Sequence, residues 1–594
     1  MIEPRLFLCG GIDSPEAALA AGRKVVALDA GGEDPNVHVR LEDVAHAFLR
    51  DLSPRLTDFL DLAAYVYTAD GSTVRGTEWA EEGTIEPWSR DFHFVVAVRD
   101  LAFWARADVQ AALKKVLTFL SDDAYEFTFV QQARPDKGGQ LYLGFSEFEE
   151  WPACDVERVL MFSGGLDSLA GAVDGARRSE HLVLVSHRPV STLSARQTEL
   201  VARLRATFPH VRVVHVPVWV NKMKNLGREH TQRTRSFLFA ALGAVVAHSV
   251  RARGVRFFEN GVVSINLPVA DEVLRARASR TTHPVTLVDL QKLAALVLGR
   301  ELTIDNPYIF KTKSEVVGTL KGGAEDLIGY TCSCAHTGFF HSKTQLHCGT
   351  CSQCIDRRIA LLDADLTSHE PEGDYKTDVL TGARTETLER NIAINYARHG
   401  LELATMSDEE MAAKFNAELS RAARCFPVPR DAAKELVSMH RRHGETVARV
   451  LNDGVKQVGA ELVHGKLEPS SMLALVAGQK HLESSWKTFA ERLVGILAAG
   501  LPPMCTKKKP ADEPALQMLC DGLLKGHELN LRREYPFLAW GWSMTKPDWS
   551  NEPLRLWVEL KYISAGSPST TTASSCSACR PTPQSSTASR ASGR

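Results

Sequence analysis

The sequence predicts an α/β protein built on a doubly wound parallel sheet, and three observations carry that prediction. Between residues 154 and 365, apolar runs of strand length alternate with stretches of helical length, the pattern of parallel strands joined by crossover helices. One strand-to-helix passage there is the glycine turn Ser163-Gly164-Gly165-Leu166-Asp167-Ser168. Downstream, Cys332, Cys334, Cys348, Cys351 and Cys354 gather five of the twelve cysteines in one short stretch. In a chain this long, that clustering predicts a metal knuckle rather than a disulfide scaffold.

Taken in order, residues 1–153 offer strand candidates at Leu6–Cys9, Lys24–Leu28, Phe92–Val98, Tyr125–Phe129 and Leu141–Phe145, with helical spacing from Val109 to Leu120. They read as an α+β domain without a catalytic constellation, in which Trp88, Arg90, Trp104 and Asp123 serve the core. Residues 154–365 begin with the strand Arg158–Phe162, the glycine turn and a helix. The buried strand Leu182–Ser186, a helix from Ala195 to Phe208 and the strand Val211–Val218 follow. A basic stretch, Asn221 to Arg235, runs into the apolar helix Phe237–Ser249, and Val255–Phe258 forms a further strand ending at Glu259-Asn260. Ligands of such sheets bind beyond the carboxyl ends of the strands, where the glycine turn, His187, Glu259 and Asn260 all fall. Residues 366–500 are helical throughout and predict a packing or interaction domain, with Arg441-Arg442-His443 on a solvated face.

The glycine turn suits a phosphate group. It aims backbone N–H groups at the positive end of a helix, its glycines let the backbone approach the anion, and Ser163 and Ser168 add hydroxyl donors. Asp167 would repel a bare phosphate, so it is expected to hold Mg²⁺ or orient a loop amide. Arg233 and Arg235 are candidates for a forked clamp on a triphosphate, and Lys313 is a candidate phosphate contact at a loop-to-helix entry. Cys348, Cys351 and Cys354 can aim three thiolates at one ion, with Cys334 or Cys332 as the fourth ligand and His347 as a weaker rival. Four protein ligands leave no open position, so the expected zinc is structural.

The turn is not of the Walker type. It resembles the SGGxDS pyrophosphate loop of ATP-pyrophosphatases, which cleave ATP between the α- and β-phosphates. Together with the cysteines it resembles the 7-cyano-7-deazaguanine synthases (QueC-like proteins). Thr331-Cys332-Ser333-Cys334 is similar to their Thr-x-Ser-Cys, which favours Cys334 as first ligand. Cys348-Gly349-Thr350-Cys351-Ser352-Gln353-Cys354 followed by Arg357 resembles their knuckle. Pro307 with Lys313-Ser314-Glu315, and more loosely Arg235-Ser236-Phe237-Leu238, resemble two further elements. The resemblance covers about two hundred residues and implies ATP, Mg²⁺ and a structural Zn²⁺. It implies nucleotide binding by Ser163 to Ser168, catalytic roles for Asp167, Ser168, Arg235 and Lys313, and zinc on Cys334, Cys348, Cys351 and Cys354. The implied reaction is adenylation of 7-carboxy-7-deazaguanine followed by displacement of AMP by ammonia. The large flanking segments look more like the QueC-like proteins of anti-phage (Qat-type) systems, where the acceptor is expected to be an amine on a partner protein encoded nearby.

Residues 501–563 carry Asp548 and then Glu559-Leu560-Lys561 on an apolar stretch, which resembles part of a PD-(D/E)xK nuclease core. From residue 564 to 594 the chain turns to Ser, Thr, Ala and Pro, a composition expected to be disordered. The nuclease-like piece therefore reads as truncated and inactive. A net charge of −2 supplies no bulk attraction for nucleic acid or membrane. Without a long apolar span or a secretory leader, the expected location is the cytoplasm. A nucleic-acid-acting enzyme (a tRNA-modifying ATP-pyrophosphatase or Mg²⁺ nuclease) and a scaffold with a regulatory ATP site are the alternative readings.

Overall fold

The computed structural model describes residues 4–14, 17–30, 35–41, 52–75, 89–133, 156–187, 191–223, 226–229, 233–269, 279–335, 345–370, 373–477, 486–507, 513–524, 531–533, 538–540, 543–545, 549–551 and 556–558. The chain divides into two compact units, Met1–Ala477 and Gly478–Arg594.

Among the described residues of the first unit, ten strands form two sheets: β1 (Arg5–Cys9), β2 (Lys24–Leu28), β3 (Val37–Leu41), β4 (Asp91–Val98), β5 (Ala124–Gln131), β6 (Arg158–Met161), β7 (Leu182–His187), β8 (Val213–Lys222), β9 (Gly254–Arg256) and β10 (Thr303–Asp305). The smaller sheet has the order β2-β1-β4-β5 and is parallel throughout. The N-terminal segment is therefore itself α/β and not the expected α+β. Its helices Pro54–Ser72 and Ala107–Ser121 lie between successive strands, as parallel pairing requires. Leu141–Phe145 and Trp88 lie outside the described residues.

The larger sheet has the order β10-β9-β6-β7-β8-β3, with every pair parallel except β3–β8. Strand β3 comes from the N-terminal stretch, so residues before 153 complete this sheet. From β6 the chain builds β7 and β8 on one side, then crosses to place β9 and β10 on the other. The crevice between the ends of β6 and β9 is therefore the topological switch point.

Alternation along β6 explains why the sheet is covered on both faces. Val159 and Met161 enter one apolar core with Phe237, Leu242 and Val255, and that core continues into the smaller sheet through Phe7, Phe59 and Phe94. Leu160 and Phe162 enter a second core with Leu169, Val173, Leu184 and Leu204. Trp104 is fully buried, as expected of a core residue. Arg90 and Asp123 join Asp70 and Arg75 in a buried ion cluster: Arg90 reaches Asp123 at 2.7 Å and Asp70 at 2.5 Å, and Arg75 reaches Asp123 at 2.9 Å.

Helices Thr387–Thr405 and Pro429–Gln457 are the longest of the helical stretch in this unit. Arg442 does more than face solvent: its guanidinium bonds Glu315 at 2.6 Å and the Phe310 carbonyl at 2.9 Å. In the second unit, helices Trp486–Lys507 and Glu513–Leu524 pack through Leu493, Cys520 and Leu524. Leu556–Val558 pairs antiparallel with Trp549–Asn551. Asp548, Glu559, Lys561 and the tail from 564 lie outside the described residues.

Candidate functional site

Strand β6 ends at Met161, and the helix Leu166–Arg177 starts after Gly165 with no side-chain cap. Its first amides are therefore left to an external acceptor by helix geometry alone. Gly164 takes φ +84, a left-handed conformation in which a side chain would be strained. The turn is braced internally: Ser163 Oγ lies 3.2 Å from Ser168 Oγ and accepts from the Gly165 N–H at 3.3 Å, while Ser168 Oγ accepts from the Gly164 N–H at 3.2 Å. Gln197 braces it from outside, its side-chain Nε2 donating to the Ser163 carbonyl at 3.0 Å.

The turn opens into a cavity of 320 Å³, within the range of about 300–1,000 Å³ common for small-molecule sites. Ser163, Gly165, Leu166, Asp167 and Ser168 line it, and Arg235 and Lys313 face it from two other elements. Arg235 opens the helix Arg235–Ser249 with its guanidinium 5.0 Å from the Phe239 ring centroid, and its buried Nε has no hydrogen-bond partner. Phe239, Phe257 and Phe258 supply an apolar wall. Arg233, the other half of the expected clamp, is outside the cavity lining, and burial brings its guanidinium down to about 10. His187 is also turned away: its Nε2 lies 2.9 Å from the Val220 carbonyl oxygen, and burial lowers it to about 3.

Lys313 is the first residue of a helix capped by a Thr312–Glu315 box, and Arg442 holds the same Glu315. Its ammonium donates to Asp167 Oδ2 at 2.6 Å. Burial works against that charge, but the Asp167, Asp356 and Glu259 carboxylates outweigh it and hold Lys313 above the ordinary lysine value. Burial and the neighbouring Asp167 charge push the half-buried Glu259 carboxyl well up. Asp356 is pushed up by burial while Tyr396 donates to its Oδ1 at 2.9 Å. Sequence reasoning placed Glu259 near the site from its strand end; Asp356 carried no signal beyond its place inside the cysteine helix.

The cysteines form a second centre beside the cavity. Cys334, Cys348, Cys351 and Cys354 are buried with their sulfurs within 4.8 Å of one another, and Cys348 and Cys354 are 3.7 Å apart. Tetrahedral zinc with bonds of about 2.3 Å separates thiolates by about 3.8 Å, so this donor set fits a metal ion such as zinc. Four thiols so close cannot all ionise alone. Hydrogen bonding with Cys334 draws Cys351 down to about 7, and contacts with their neighbours push Cys334 and Cys354 far up. Cys332 is not in the set; its Sγ faces the Leu346 carbonyl at 3.6 Å. His347 is not either: it is buried against Tyr375, with ring centroids 4.9 Å apart. Gly349 permits the knuckle, since at φ +82 an added Cβ would lie 1.7 Å from the Thr377 carbonyl oxygen.

The two centres are joined. The Cys332 N–H donates to the Gly164 carbonyl at 3.0 Å, and Ser333 and Cys334 line the cavity. Arg357, fully buried, donates to Glu370 at 2.8 Å, Thr331 Oγ1 at 2.7 Å and the Ile328 carbonyl at 3.2 Å. It locks the cysteine helix to the segment that touches the glycine turn.

Fold and site together define an α/β protein with two largely parallel sheets and a four-cysteine centre able to hold a metal ion such as zinc. No family model matches the chain, and no curated protein matches it. Among the described residues, no helix is long and apolar enough to cross a membrane.

Proposed function

We propose that this chain is an ATP-pyrophosphatase-type ligase, similar to the 7-cyano-7-deazaguanine synthases, that adenylates the carboxylate of a 7-deazaguanine and passes the acyl group to ammonia or a protein amine. The observation that carries this reading is the convergence of the uncapped turn 163–168, Arg235 and Lys313 on one cavity at the switch point of the larger sheet.

In the first step a carboxylate oxygen attacks the α-phosphorus of ATP, the bond to the β-phosphate oxygen breaks, and pyrophosphate leaves. In the second step the amine nitrogen attacks the acyl carbon, AMP leaves, and the nitrogen loses a proton. The amides of the turn and the hydroxyls of Ser163 and Ser168 would bind the phosphate oxygens, and Arg235 and Lys313 would offset charge building on the departing pyrophosphate. Asp167 would hold Mg²⁺, which neutralises phosphate charge when bound. The aromatic wall of Phe239, Phe257 and Phe258 suits a flat heterocycle. Zinc on the four cysteines would act at a distance, by fixing the segment hydrogen-bonded to Gly164.

The test is direct. Protein, ATP, Mg²⁺ and 7-carboxy-7-deazaguanine should yield pyrophosphate and the acyl-adenylate, with AMP released in equal amount once an amine is supplied, and formation of ADP or of no product overturns the reading. Adding ammonia or a candidate acceptor protein, with mass spectrometry of the product, then identifies the amine.

A further inference from the structure

A second cavity, of 680 Å³, opens among the helices Ala107–Ser121, Pro284–Leu298 and Asn416–Ala423. It shares no lining residue with the cavity at the glycine turn. Lys115, Lys292, Arg421 and Arg424 border it, against the single carboxylate of Asp289. The four cationic residues are exposed, whereas Asp289 is only 4% exposed. Among the described residues, Lys292, Arg421 and Arg424 form no ion pair. Lys115 donates to Asp289 Oδ1 at 2.8 Å, while Asp289 Oδ2 is buried without a hydrogen-bond partner. Val285 and Val288, half-buried on the same helix as Asp289, add an apolar wall. An unpartnered carboxylate oxygen in so enclosed a place is costly unless a donor meets it, and clustered cations attract an anion. One ligand answers both demands if it carries N–H donors on a flat apolar body at one end and several negative charges at the other.

We propose that this second cavity binds a guanine nucleotide, with the base on Asp289 and the phosphates on Lys292, Arg421 and Arg424. Guanine presents two neighbouring N–H donors on one edge, N1–H and the N2 amino group, and a carboxylate can accept both. Adenine offers one amino group beside a ring acceptor, which a carboxylate oxygen repels. Asp289 Oδ2 is open to the first donor. Oδ1 opens to the second when Lys115, its side chain 63% exposed, turns from the carboxylate to the phosphates. The volume lies within the range of about 300–1,000 Å³ that holds small molecules, and the surplus of cations over the one carboxylate suits a diphosphate. A nucleic-acid strand suits the cavity less well, because among the described residues no aromatic ring lines it for bases to stack on. This site does not depend on the ATP reading of the first cavity.

The test uses the zinc-loaded full chain without ATP, with GDP as the probe and binding read by isothermal titration calorimetry. Zinc content and far-UV circular dichroism first establish that each variant is folded. Wild type should bind GDP about ten-fold or more tightly than ADP or inorganic pyrophosphate. Asp289→Asn should weaken GDP by about ten-fold and leave pyrophosphate binding as tight as before or tighter. Arg421→Ala, an exposed change, should weaken GDP and pyrophosphate alike; should Asp289→Asn fail to fold, this variant and the preference for GDP over ADP carry the test. Arg235→Met, in the first cavity, should leave GDP affinity unchanged. Wild type that does not bind GDP, that binds GDP and ADP equally, or whose Asp289→Asn variant keeps full GDP affinity overturns the proposal. Loss of GDP binding in Arg235→Met puts the ligand in the first cavity and overturns it too. Tighter binding of an RNA oligonucleotide than of GDP, insensitive to Asp289→Asn, gives the cavity to a phosphate backbone and likewise overturns it.

Discussion

Two charge clusters in the first unit differ in balance and in access. Asp70, Arg75, Arg90 and Asp123 are two acids and two bases, closed off from solvent, with each arginine bonded to both aspartates. Asp167, Glu259, Asp356 and Lys313 are three acids and one base; Asp167, Glu259 and Lys313 line a cavity, and Asp167 Oδ1 and Asp356 Oδ2 are left without a hydrogen bond. A balanced, closed cluster has nothing left to offer a ligand and serves the fold. An unbalanced, open one keeps its electrostatic demand for something that binds. The four thiols are a third case, closed but balanced only once a cation neutralises them.

Each part of that comparison can be broken by experiment. The largest effect should come from the thiols. Structural zinc binding is folding free energy of about 10–16 kcal/mol in zinc-finger peptides, so chelation or Cys354→Ser should cost the first unit much of its stability, read as a fall in Tm with loss of zinc. Next, Arg90→Met leaves Asp70 and Asp123 short of a partner and should cost about 3–5 kcal/mol in urea unfolding. Asp167→Asn is equally buried but relieves an excess of carboxylate, so its stability cost should be about 1 kcal/mol or less, while AMP formation is lost. Equal destabilisation by Arg90→Met and Asp167→Asn would refute the distinction.

Acid should act through histidines that are buried neutral. His187, His283 and His399 are lowered to about 3, and His440 and His443 to about 4, in every case by burial first. The unfolded chain takes up protons near pH 6.5 and the folded chain does not. The stability they allow is therefore complete above about pH 6.5 and declines as pH falls toward 4, which a series of urea midpoints would trace. Glu259 has the opposite sign: its raised carboxyl favours the folded state when protonated and opposes it above the unfolded value near 4.5. Glu259→Gln should thus have a urea midpoint at neutral pH equal to or above that of wild type. The smallest effect belongs to Cys332→Ser, which should leave the zinc content at one per chain.

Part of this was legible from local spacing. The glycine turn, the knuckle of Cys348, Cys351 and Cys354, and the alternation of strand and helix from 154 to 365 each lie within a few turns of chain, where backbone periodicity writes the pattern into neighbouring residues. The parallel pairing of the N-terminal sheet is not legible there, because pairing direction is not written in single strands. Phe92–Val98 is a nearly continuous apolar run that a sheet covered on both faces can bury in either direction, and only the helices carried between strands decide. For the same reason nothing in Val37–Leu41 announced that it would edge the larger sheet.

Sequence alone therefore determined the parts that need a particular backbone: the turn that Gly164 allows, the knuckle that Gly349 allows, and the thiolate spacing. Tertiary structure decided which residues share a space. It chose Cys334 over Cys332, put Arg235 rather than Arg233 on the cavity, and brought Glu259 and Asp356 to Lys313. Such meetings depend on packing between segments distant in the chain, and no residue's immediate neighbours record which partner the folded protein will set beside it.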